Sequence, residues 1–424
     1  MLAAEAQPQS ESGRRWDAAV RIALIVAAIG SFSSPPVANI ALGLALVLAL
    51  ASSSMRARLA VAASQPLGRA ALIFFAVMTL AMCWAHAPWH ARLDAWWNWR
   101  TMLWIVLTAA AFGDRRWKER FCLSLIAAAA IGAIVSFGMW SARVSIDPGY
   151  PGTLFGNHVV QSMTMAVAVL MAVVLAAQRD RSVRSRGLLA AAALICLANL
   201  VLVAAGRSGQ VAFVVAAVSG AVLMLTGWRR WQVVAALVVL VGVLAAVSPM
   251  VQHRFALVAE EGRSSLDCSS PMENSTGLRL LLWRTTAALI RVRPWFGYGV
   301  GGFMSAYDGE VRNQIGTQPL QNWCAHPVHD PHNQYLRVTV EAGVLGLAAF
   351  LGLLAGAVLQ PAAQPYRSCA LALLAAWSVT SLFNSHFQTF GEGHFIALLL
   401  GALLAPDGTQ PVSSASSTAA RTSS

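Results

Sequence analysis

The residues best suited to chemistry lie in a polar stretch, residues 326–336, which reads HPVHDPHNQYL and precedes a long apolar run. Asp330 followed by Pro331 is typical of a helix N-cap and a first helical residue, so we expect a helix to begin here with His332 in its first turn. The partial positive charge of a helix N-terminus disfavours imidazolium. The sequence therefore predicts a neutral His332 that can act as a general base.

Two neighbours of His332 complete this candidate site. We expect Asn333 or Asp330 to orient the imidazole or a substrate, and His329 to contact substrate in a smaller role. Histidines at three-residue spacing also occur in zinc sites, but the prolines of this stretch interrupt the helix that would align them, and no metal is predicted. Solvated loop histidines without a role are the remaining alternative.

Arg207 is a second candidate, in the short polar turn GRSGQ at 206–210 between two apolar runs. An arginine at the rim of a helical bundle is costly unless it is paired, so it is a functional candidate by default. The alternative is an arginine that extends to the membrane interface without a specific role.

Further arginines follow in a helical pattern that runs from Ser275 to Arg291 and ends before Pro294. This pattern is too short and too charged to span a membrane, so we expect a surface helix with Arg284 and Arg291 on one face. The cluster comprises Arg279, Arg284, Arg291 and Arg293. Guanidinium groups bind phosphate oxygens in pairs, so the cluster predicts a phosphate or pyrophosphate ligand. Lipid headgroups would bind in the same way, and a chain with a single lysine uses arginine for almost every cation.

A glycine-rich run at 297–302 follows the arginine cluster. Glycines permit a tight turn and a close approach of backbone to ligand, so we expect this run to admit substrate.

The elements that must position these residues are membrane helices. Of the 424 residues, 57% are hydrophobic and 11% are charged, and the mean hydropathy is +0.60, which excludes an ordinary soluble domain. We predict an all-α polytopic membrane protein with about twelve transmembrane helices, because apolar runs of about 17–25 residues recur along the chain. The predicted spans are 17–33, 37–53, 68–85, 98–113, 121–140, 158–177, 187–205, 210–227, 232–249, 338–359, 369–385 and 393–406.

The net charge of +12 would suggest nucleic acid in a soluble protein, but its placement here follows a membrane topology, and no nucleic acid partner is predicted. Arginines concentrate in every second connection, so these connections and both termini are expected to be cytoplasmic. The other connections would face outward: 33–36, 86–97, 141–157, 206–210, 251–335 and 386–392.

The chain divides into four predicted parts. Residues 1–250 hold nine transmembrane helices with short loops, and residues 251–335 form one large outer loop with surface helices. Residues 336–406 hold three more transmembrane helices, and the tail at 407–424, rich in Ser, Thr and Ala, is expected to be disordered.

Cysteines fall into two groups. Four lie in apolar spans, where we expect them to pack as small apolar side chains: Cys83, Cys122, Cys196 and Cys369. Cys268 and Cys324 both lie in the large outer loop, and we expect a disulfide between them if that loop faces an oxidising compartment. Two free thiols are the alternative.

Several of these motifs together resemble the O-antigen ligase superfamily, which also contains O-antigen polymerases and bacterial protein O-oligosaccharyltransferases. The motifs are GRSG at 206–209, LWR at 282–284, RPWFGYG at 293–299 followed by Phe303, and HNQYL at 332–336 followed by EAGVLG at 341–346. The resemblance covers roughly 200–350 by motif and the whole chain by topology.

The resemblance implies a C-type glycosyltransferase fold in the bacterial inner membrane, with the outer loop and the active site on the periplasmic side. It implies transfer of O-antigen glycan from undecaprenyl pyrophosphate to a sugar hydroxyl of lipid A-core, with inversion and without a metal or other cofactor. Carried over to this chain, Arg207 and Arg284 would bind the pyrophosphate and His332 would activate the acceptor hydroxyl. Arg279 and Asn333 would support them.

The early outer connections point in the same direction. Metal-dependent membrane glycosyltransferases need closely spaced carboxylates in an early outer loop, but the first connection here has none and the second has only Asp94. We therefore expect arginines to neutralise the leaving phosphate.

Three alternatives to a ligase remain. An O-antigen polymerase would use the same donor twice, and two sizeable outer loops would be expected of it, whereas this chain has one. A protein oligosaccharyltransferase would be expected to carry a longer C-terminal outer domain. A lipid-linked glycan transporter or flippase would place ionisable residues in the middle of its spans, and those predicted here are nearly free of charge.

Overall fold

The computed structural model describes residues 11–204, 206–247, 275–315 and 328–407, and within these ranges every regular element is a helix. In chain order the helices are Glu11–Ser33, Pro35–Ala51, Ser53–Ser64, Pro66–Ala81, Trp89–Asn98, Thr101–Ala111, Arg115–Ser141, His158–Ala176, Val183–Leu202, Arg207–Met224, Trp228–Val247, Ser275–Val292, Phe303–Ile315, Gln334–Leu359, Tyr366–Thr380 and Phe390–Leu403. The predicted surface helix of the arginine cluster is therefore present, at 275–292.

Each of the predicted spans overlaps one of these helices. In the described ranges, six helices are long and apolar enough to cross a membrane alone, and the pair Pro35–Ala51 and Ser53–Ser64 would add a seventh span with a bend of 105°. The chain is thus an all-α, multi-pass membrane protein, while the count of about twelve crossings stays a prediction.

The two predicted sides of the membrane separate at opposite ends of the bundle. Connections expected to be cytoplasmic meet one another through ion pairs: Arg58 with Asp17, Arg181 with Glu119, and Lys118 with Asp407. Connections expected to face outward meet around two cavities, which are lined by residues from 31–35, 90–98, 156–160, 329–332 and 384–392.

A buried polar network ties one outer loop to the bundle. The side chain of Gln161 donates to Ser136 Oγ at 2.9 Å and accepts from the Leu154 amide at 2.7 Å. Asn199 donates to the same Ser136 oxygen at 2.8 Å. Because these buried groups satisfy one another, they fix the loop that leads to residues 156–160 at the cavity wall.

The helix after the histidine stretch, Gln334–Leu359, is here called the site helix, and it is broken at Gly343. Residues 294–302, the glycine loop, lie against the break. Three backbone hydrogen bonds of 2.8 Å join the two segments, from the amides of Tyr298, Gly299 and Val344 to the carbonyls of Val340, Glu341 and Pro294. The glycine loop thus replaces bonds that the helix loses at the break, as is required of a broken helix in a membrane.

At two positions of this contact, glycine is required by the chain's own backbone. Gly343 has φ +65°, and a Cβ atom on it would lie 2.0 Å from the Trp295 carbonyl oxygen. A Cβ atom on Gly299, at φ +82°, would lie 2.3 Å from Ala85 Cα. The glycine loop is therefore wedged between the site helix and the connection at 82–88.

The cysteines of the described ranges agree with expectation in three of four cases. Cys122, Cys196 and Cys369 are buried, whereas Cys83 is exposed, because the helix Pro66–Ala81 ends before it. The predicted disulfide partners Cys268 and Cys324 lie outside the described residues.

We expect Gly343→Ala to lower the unfolding temperature in detergent, with a cost of about 2 kcal/mol or more, because an L-residue is strained at this φ and its Cβ would collide with Trp295. Gly352→Ala is the matched control, since an added Cβ there meets nothing within 4 Å and lies in the same helix. The control should unfold at the wild-type temperature or slightly above it. Equal unfolding temperatures for the two variants would contradict this account of the break.

Candidate functional site

The site helix begins three residues later than the sequence suggested. Its N-cap is Asn333, whose side-chain oxygen accepts from the amides of Tyr335 and Leu336 at 3.0 and 3.1 Å. The prediction that Asp330 caps the helix and that His332 lies in its first turn is therefore wrong. His332 precedes the cap with φ +50°, a conformation that helical residues do not adopt.

Asp330 shapes a turn instead of a helix start. One of its carboxylate oxygens, Oδ1, accepts from the His332 amide at 3.1 Å and from the Ser385 hydroxyl at 2.6 Å. The other, Oδ2, lies 3.9 Å from His332 Nδ1. Asp330 thus joins residues 330–332, here called the histidine turn, to residues 381–389, here called the outer turn. The two bonded residues, Asp330 and Ser385, are 55 positions apart in sequence.

Both the nitrogen and the oxygen of the Asn333 side-chain amide form hydrogen bonds within the protein. Its Nδ2 donates to the Leu382 carbonyl at 2.8 Å, while its oxygen serves the helix cap. Most of its hydrogen-bonding capacity is therefore used inside the protein, which favours a role in positioning His332 over the predicted contact with substrate.

Burial lowers the pKa of His332 below the ordinary value of about 6.5, and the positive charge of Arg279 lowers it further. The carboxylate of Asp330 acts in the opposite direction and is outweighed. The imidazole is therefore neutral at neutral pH, as the sequence predicted, but the causes are burial and a nearby arginine. A neutral imidazole whose Nδ1 faces a carboxylate leaves Nε2 free to accept a proton.

Of the predicted arginines, Arg279 has a charge that acts on His332, and Arg207 acts in turn on Arg279. Burial lowers the pKa of Arg279, and the neighbouring charge of Arg207 adds to this effect, so Arg207 and Arg279 form an electrostatic cluster with the histidine. Arg207 is the first residue of its helix and is exposed. Ser208, the next residue, accepts a hydrogen bond of 2.6 Å from Asn384 of the outer turn. The predicted Arg207 turn and the histidine turn thus meet at the same outer turn.

Other predicted residues lie farther from the imidazole. Arg284 is exposed, and five residues of helix rotate it about 140° away from Arg279. Arg291 is exposed on the same face as Arg284, as predicted for residues seven apart. His329 is also exposed, and its carbonyl group accepts a hydrogen bond from Arg337. The structure therefore groups His332 with Arg207 and Arg279 but gives Arg284, Arg291 and His329 no contact with that group.

His332 lies on the wall of a cavity of about 380 Å³, here called the histidine cavity. Its lining comes from four outer segments, at 31–35, 156–160, 330–332 and 384–392. Phe32 and Phe390 supply apolar surface, and the polar groups that converge on it belong to Asp330, His332 and the outer turn. A cavity of this size with a few polar groups is typical of a small-ligand site.

A second cavity, of about 530 Å³, lies on the other side of Asp330. Asp330, Ser385, Thr389 and Phe390 line both cavities and form the wall between them. The far side of this second cavity is lined by the polar face of the helix Trp89–Asn98, at His90, Asp94 and Asn98. The opposite face of that helix exposes Trp89, Leu93 and Trp97, a composition typical of a membrane interface.

The sequence reasoning missed a pair of titratable residues in the histidine cavity, His386 and Glu392. Both are almost fully buried, and His386 Nδ1 lies 3.7 Å from Glu392 Oε1. The signal available in the sequence was the density of polar residues at 384–394, NSHFQTFGEGH, between two apolar spans. That stretch was predicted only as an outer connection.

Residues 191–351 match the family model described as O-antigen ligase. The matched segment extends from within the helix Val183–Leu202 into the second half of the site helix, and it contains both arginines of the cluster and His332. The matched residues make up less than half of the chain, and over them the chain is similar to the O-antigen ligase family.

Curated relatives of the chain are named as candidate polysaccharide ligases. A protein of Rickettsia felis is 34% identical over 79 residues, and one of Rickettsia typhi is 37% identical over 81 residues. Each alignment covers 18% of this chain and 18% of the relative. These matches support a ligase-type enzyme of polysaccharide assembly.

The O-antigen ligase segment ends before the outer turn. Its boundary at residue 351 leaves Asn384, Ser385, His386 and Glu392 outside the matched residues, although they line the same cavity as His332. The cavity that His332 lines is thus completed by residues outside the family-matched segment.

We expect Asn333→Ala to lower stability by about 1–2 kcal/mol, because it removes the helix cap and the bond to Leu382, and to reduce glycan transfer by displacing His332. Asn333→Asp keeps the cap acceptor but loses the donor to Leu382, so it should recover only the part of the stability that the cap contributes. The measurements are the unfolding temperature and the transfer rate of each variant. An unfolding temperature unchanged in the alanine variant, together with lost transfer, would mean that Asn333 acts on the substrate and not through the cap.

Proposed function

We propose that this protein is a lipopolysaccharide O-antigen ligase of the bacterial inner membrane. It transfers O-antigen glycan from undecaprenyl pyrophosphate to a sugar hydroxyl of lipid A-core at the periplasmic face, with both termini in the cytoplasm. The observation that carries the proposal is the neutral His332 on a cavity wall. Arg279 is close enough to lower the pKa of His332, and Arg207 is close enough to lower the pKa of Arg279. The family match over residues 191–351 supports the same reaction class.

The arginines bind the donor and stabilise the negative charge of its diphosphate. A diphosphate leaving group carries negative charge that grows as its bond to the sugar breaks, and guanidinium groups already in place stabilise that charge. Arg207 and Arg284 are exposed, and neither has a carboxylate partner within the described ranges. In our proposal Arg207 and Arg279 hold the diphosphate beside His332, and Arg284 contacts it from the exposed face of its helix.

His332 serves the acceptor. The acceptor hydroxyl oxygen attacks the anomeric carbon, the bond from that carbon to the diphosphate oxygen breaks, and the hydroxyl proton passes to Nε2 of His332. The electron pair of the broken bond leaves with undecaprenyl pyrophosphate. A single displacement of this kind inverts the anomeric centre, and Asp330, facing Nδ1, stabilises the imidazolium that forms.

The second cavity is the proposed approach for the acceptor. It adjoins the histidine cavity across the wall at Asp330 and Ser385, and the helix Trp89–Asn98 places it next to an aromatic face suited to the membrane interface. A lipid-anchored acceptor could bring its sugars there while its acyl chains stay in the bilayer.

The function is tested with the purified full chain in detergent, undecaprenyl-pyrophosphate-linked glycan, lipid A-core and EDTA, with products separated on a gel. Wild-type protein should join glycan to lipid A-core, and His332→Ala should reduce the rate by a factor of about 10²–10⁴. His86→Ala is the control, since His86 is exposed and lies outside both cavities. Glycan that lengthens on the undecaprenyl carrier would instead indicate a polymerase, and no transfer to either lipid would favour a transporter.

The pH dependence tests the environment of His332. The rate at saturating donor should fall as the pH drops through the lowered pKa of His332, because protonation removes the base. Arg279→Ala removes a positive charge that lowers this pKa, so the acidic limb should shift to higher pH. Arg312→Ala, an exposed arginine on another helix, should leave the limb in place. An unmoved limb in the Arg279 variant would contradict the proximity of the two side chains.

A further inference from the structure

The outer turn holds an imidazole that the proposed chemistry does not use. The side chain of His386 is 1% exposed, and Glu392, its acidic neighbour, is 6% exposed. Oε2 of Glu392 accepts a hydrogen bond of 2.7 Å from the Thr389 hydroxyl, and Oε1 lies 3.7 Å from Nδ1 of His386. The carboxylate is thus held in place beside one nitrogen of the ring.

The other ring nitrogen, Nε2 of His386, is buried and has no hydrogen-bond partner among the described residues. A buried polar atom without a partner is costly, so a ligand that supplies the partner gains binding energy from it. His386 lines the histidine cavity together with His332, and a ligand in that cavity can supply the partner.

Neighbouring polar groups of the outer turn are already engaged within the protein. Asn384 donates to Ser208 at 2.6 Å, Ser385 donates to Asp330 at 2.6 Å, and Thr389 donates to Glu392. Nε2 of His386, in contrast, has no hydrogen-bond partner among the described residues and is available to a ligand.

Charge decides what kind of group the ligand presents to His386. The carboxylates of Glu392 and Asp330 both line the cavity and repel a phosphate oxygen. Arg279, whose charge acts on His332, and Arg207, whose charge acts on Arg279, attract it, and neither arginine is among the residues that line the cavity. The anionic end of a sugar diphosphate therefore belongs with the arginines. A neutral group, such as a sugar hydroxyl, belongs beside His386.

We propose that His386 binds the glycan of the donor, with Nε2 forming a hydrogen bond with a hydroxyl of the sugar that is transferred. A sugar hydroxyl both donates and accepts, so it suits this nitrogen, while Glu392 lies on the side of Nδ1. This assignment rests on the proposed function, and it adds a carbohydrate-binding residue outside the family-matched segment.

The test compares the binding of two probes, bare undecaprenyl pyrophosphate and undecaprenyl-pyrophosphate-linked oligosaccharide, to the full chain in detergent. His386→Asn places an amide near the Nδ1 position and keeps the contact with Glu392, but it leaves nothing at the Nε2 position. His386→Gln reaches the Nε2 position with a group of similar size and polarity. His86→Asn, on an exposed residue away from the cavities, is the control.

We expect His386→Asn to bind the glycan-bearing lipid about tenfold more weakly than wild type, which corresponds to the loss of one buried hydrogen bond. His386→Gln should stay within about threefold of wild type, and all variants should bind the bare lipid equally. If His386 had a purely structural role, the variant would bind both probes more weakly. If His386→Asn fails to fold, Glu392→Gln, which has nearly the same shape, should weaken the glycan-bearing lipid alone by about threefold.

Two results would overturn the assignment of His386. One is wild-type affinity of His386→Asn for the glycan-bearing lipid, and the other is an equal loss of affinity for the bare lipid. Failure of the proposed function can be told apart from failure of this assignment. In that case the wild-type protein itself would bind both probes with equal affinity and would transfer no glycan. In that case both proposals fall, whereas transfer by wild type with unchanged glycan affinity in the variant overturns only the role of His386.

Discussion

The candidate site depends on the contact between the carboxylate of Asp330 and the outer turn. One oxygen holds both the His332 amide and the Ser385 hydroxyl, so the histidine turn and the residues that follow the helix Tyr366–Thr380 become one unit. Asn333 strengthens this unit by joining the start of the site helix to Leu382. Without these bonds His332 would have no fixed position relative to the cavity it lines.

The histidine cavity and its surroundings separate opposite charges. The positive charge of Arg279 acts on His332 and that of Arg207 acts on Arg279, whereas the carboxylates of Asp330 and Glu392 line the cavity itself. A substrate with an anionic diphosphate at one end and neutral sugars at the other fits this separation in a single orientation. In that orientation the proposed reaction would place the bond between the sugar and the diphosphate near the neutral imidazole. The charges that orient the substrate would then also be those that act in catalysis.

Much of the architecture could be predicted from the sequence, because apolar runs and alternating arginine-rich connections are local signals. Each predicted span overlaps a helix, and the surface helix at 275–292 lies where its pattern placed it. The prediction that the helix starts at Asp330 was wrong because the Asp330 carboxylate accepts a hydrogen bond from Ser385. This partner is 55 residues away, and no local pattern reveals it. The pair of His386 and Glu392 was missed for the same reason, since only the fold brings the outer turn to His332.

The glycine loop has a structural role that its sequence does not reveal. Its glycines lie against the broken site helix and the connection at 82–88, while Gly301 also lines the second cavity, so the close approach to a ligand stays a prediction. The glycines let the glycine loop satisfy the backbone groups freed at Gly343, and this keeps the site helix and its first residues in place.

The central claim, that Arg207 and Arg279 hold the donor diphosphate beside His332, is tested most directly by an experimental structure of the full chain with bound undecaprenyl pyrophosphate. The account predicts phosphate oxygens within hydrogen-bond distance of both guanidinium groups, with the terminal phosphate facing the histidine cavity. A diphosphate bound away from both arginines, with His332 facing an empty cavity, would contradict it.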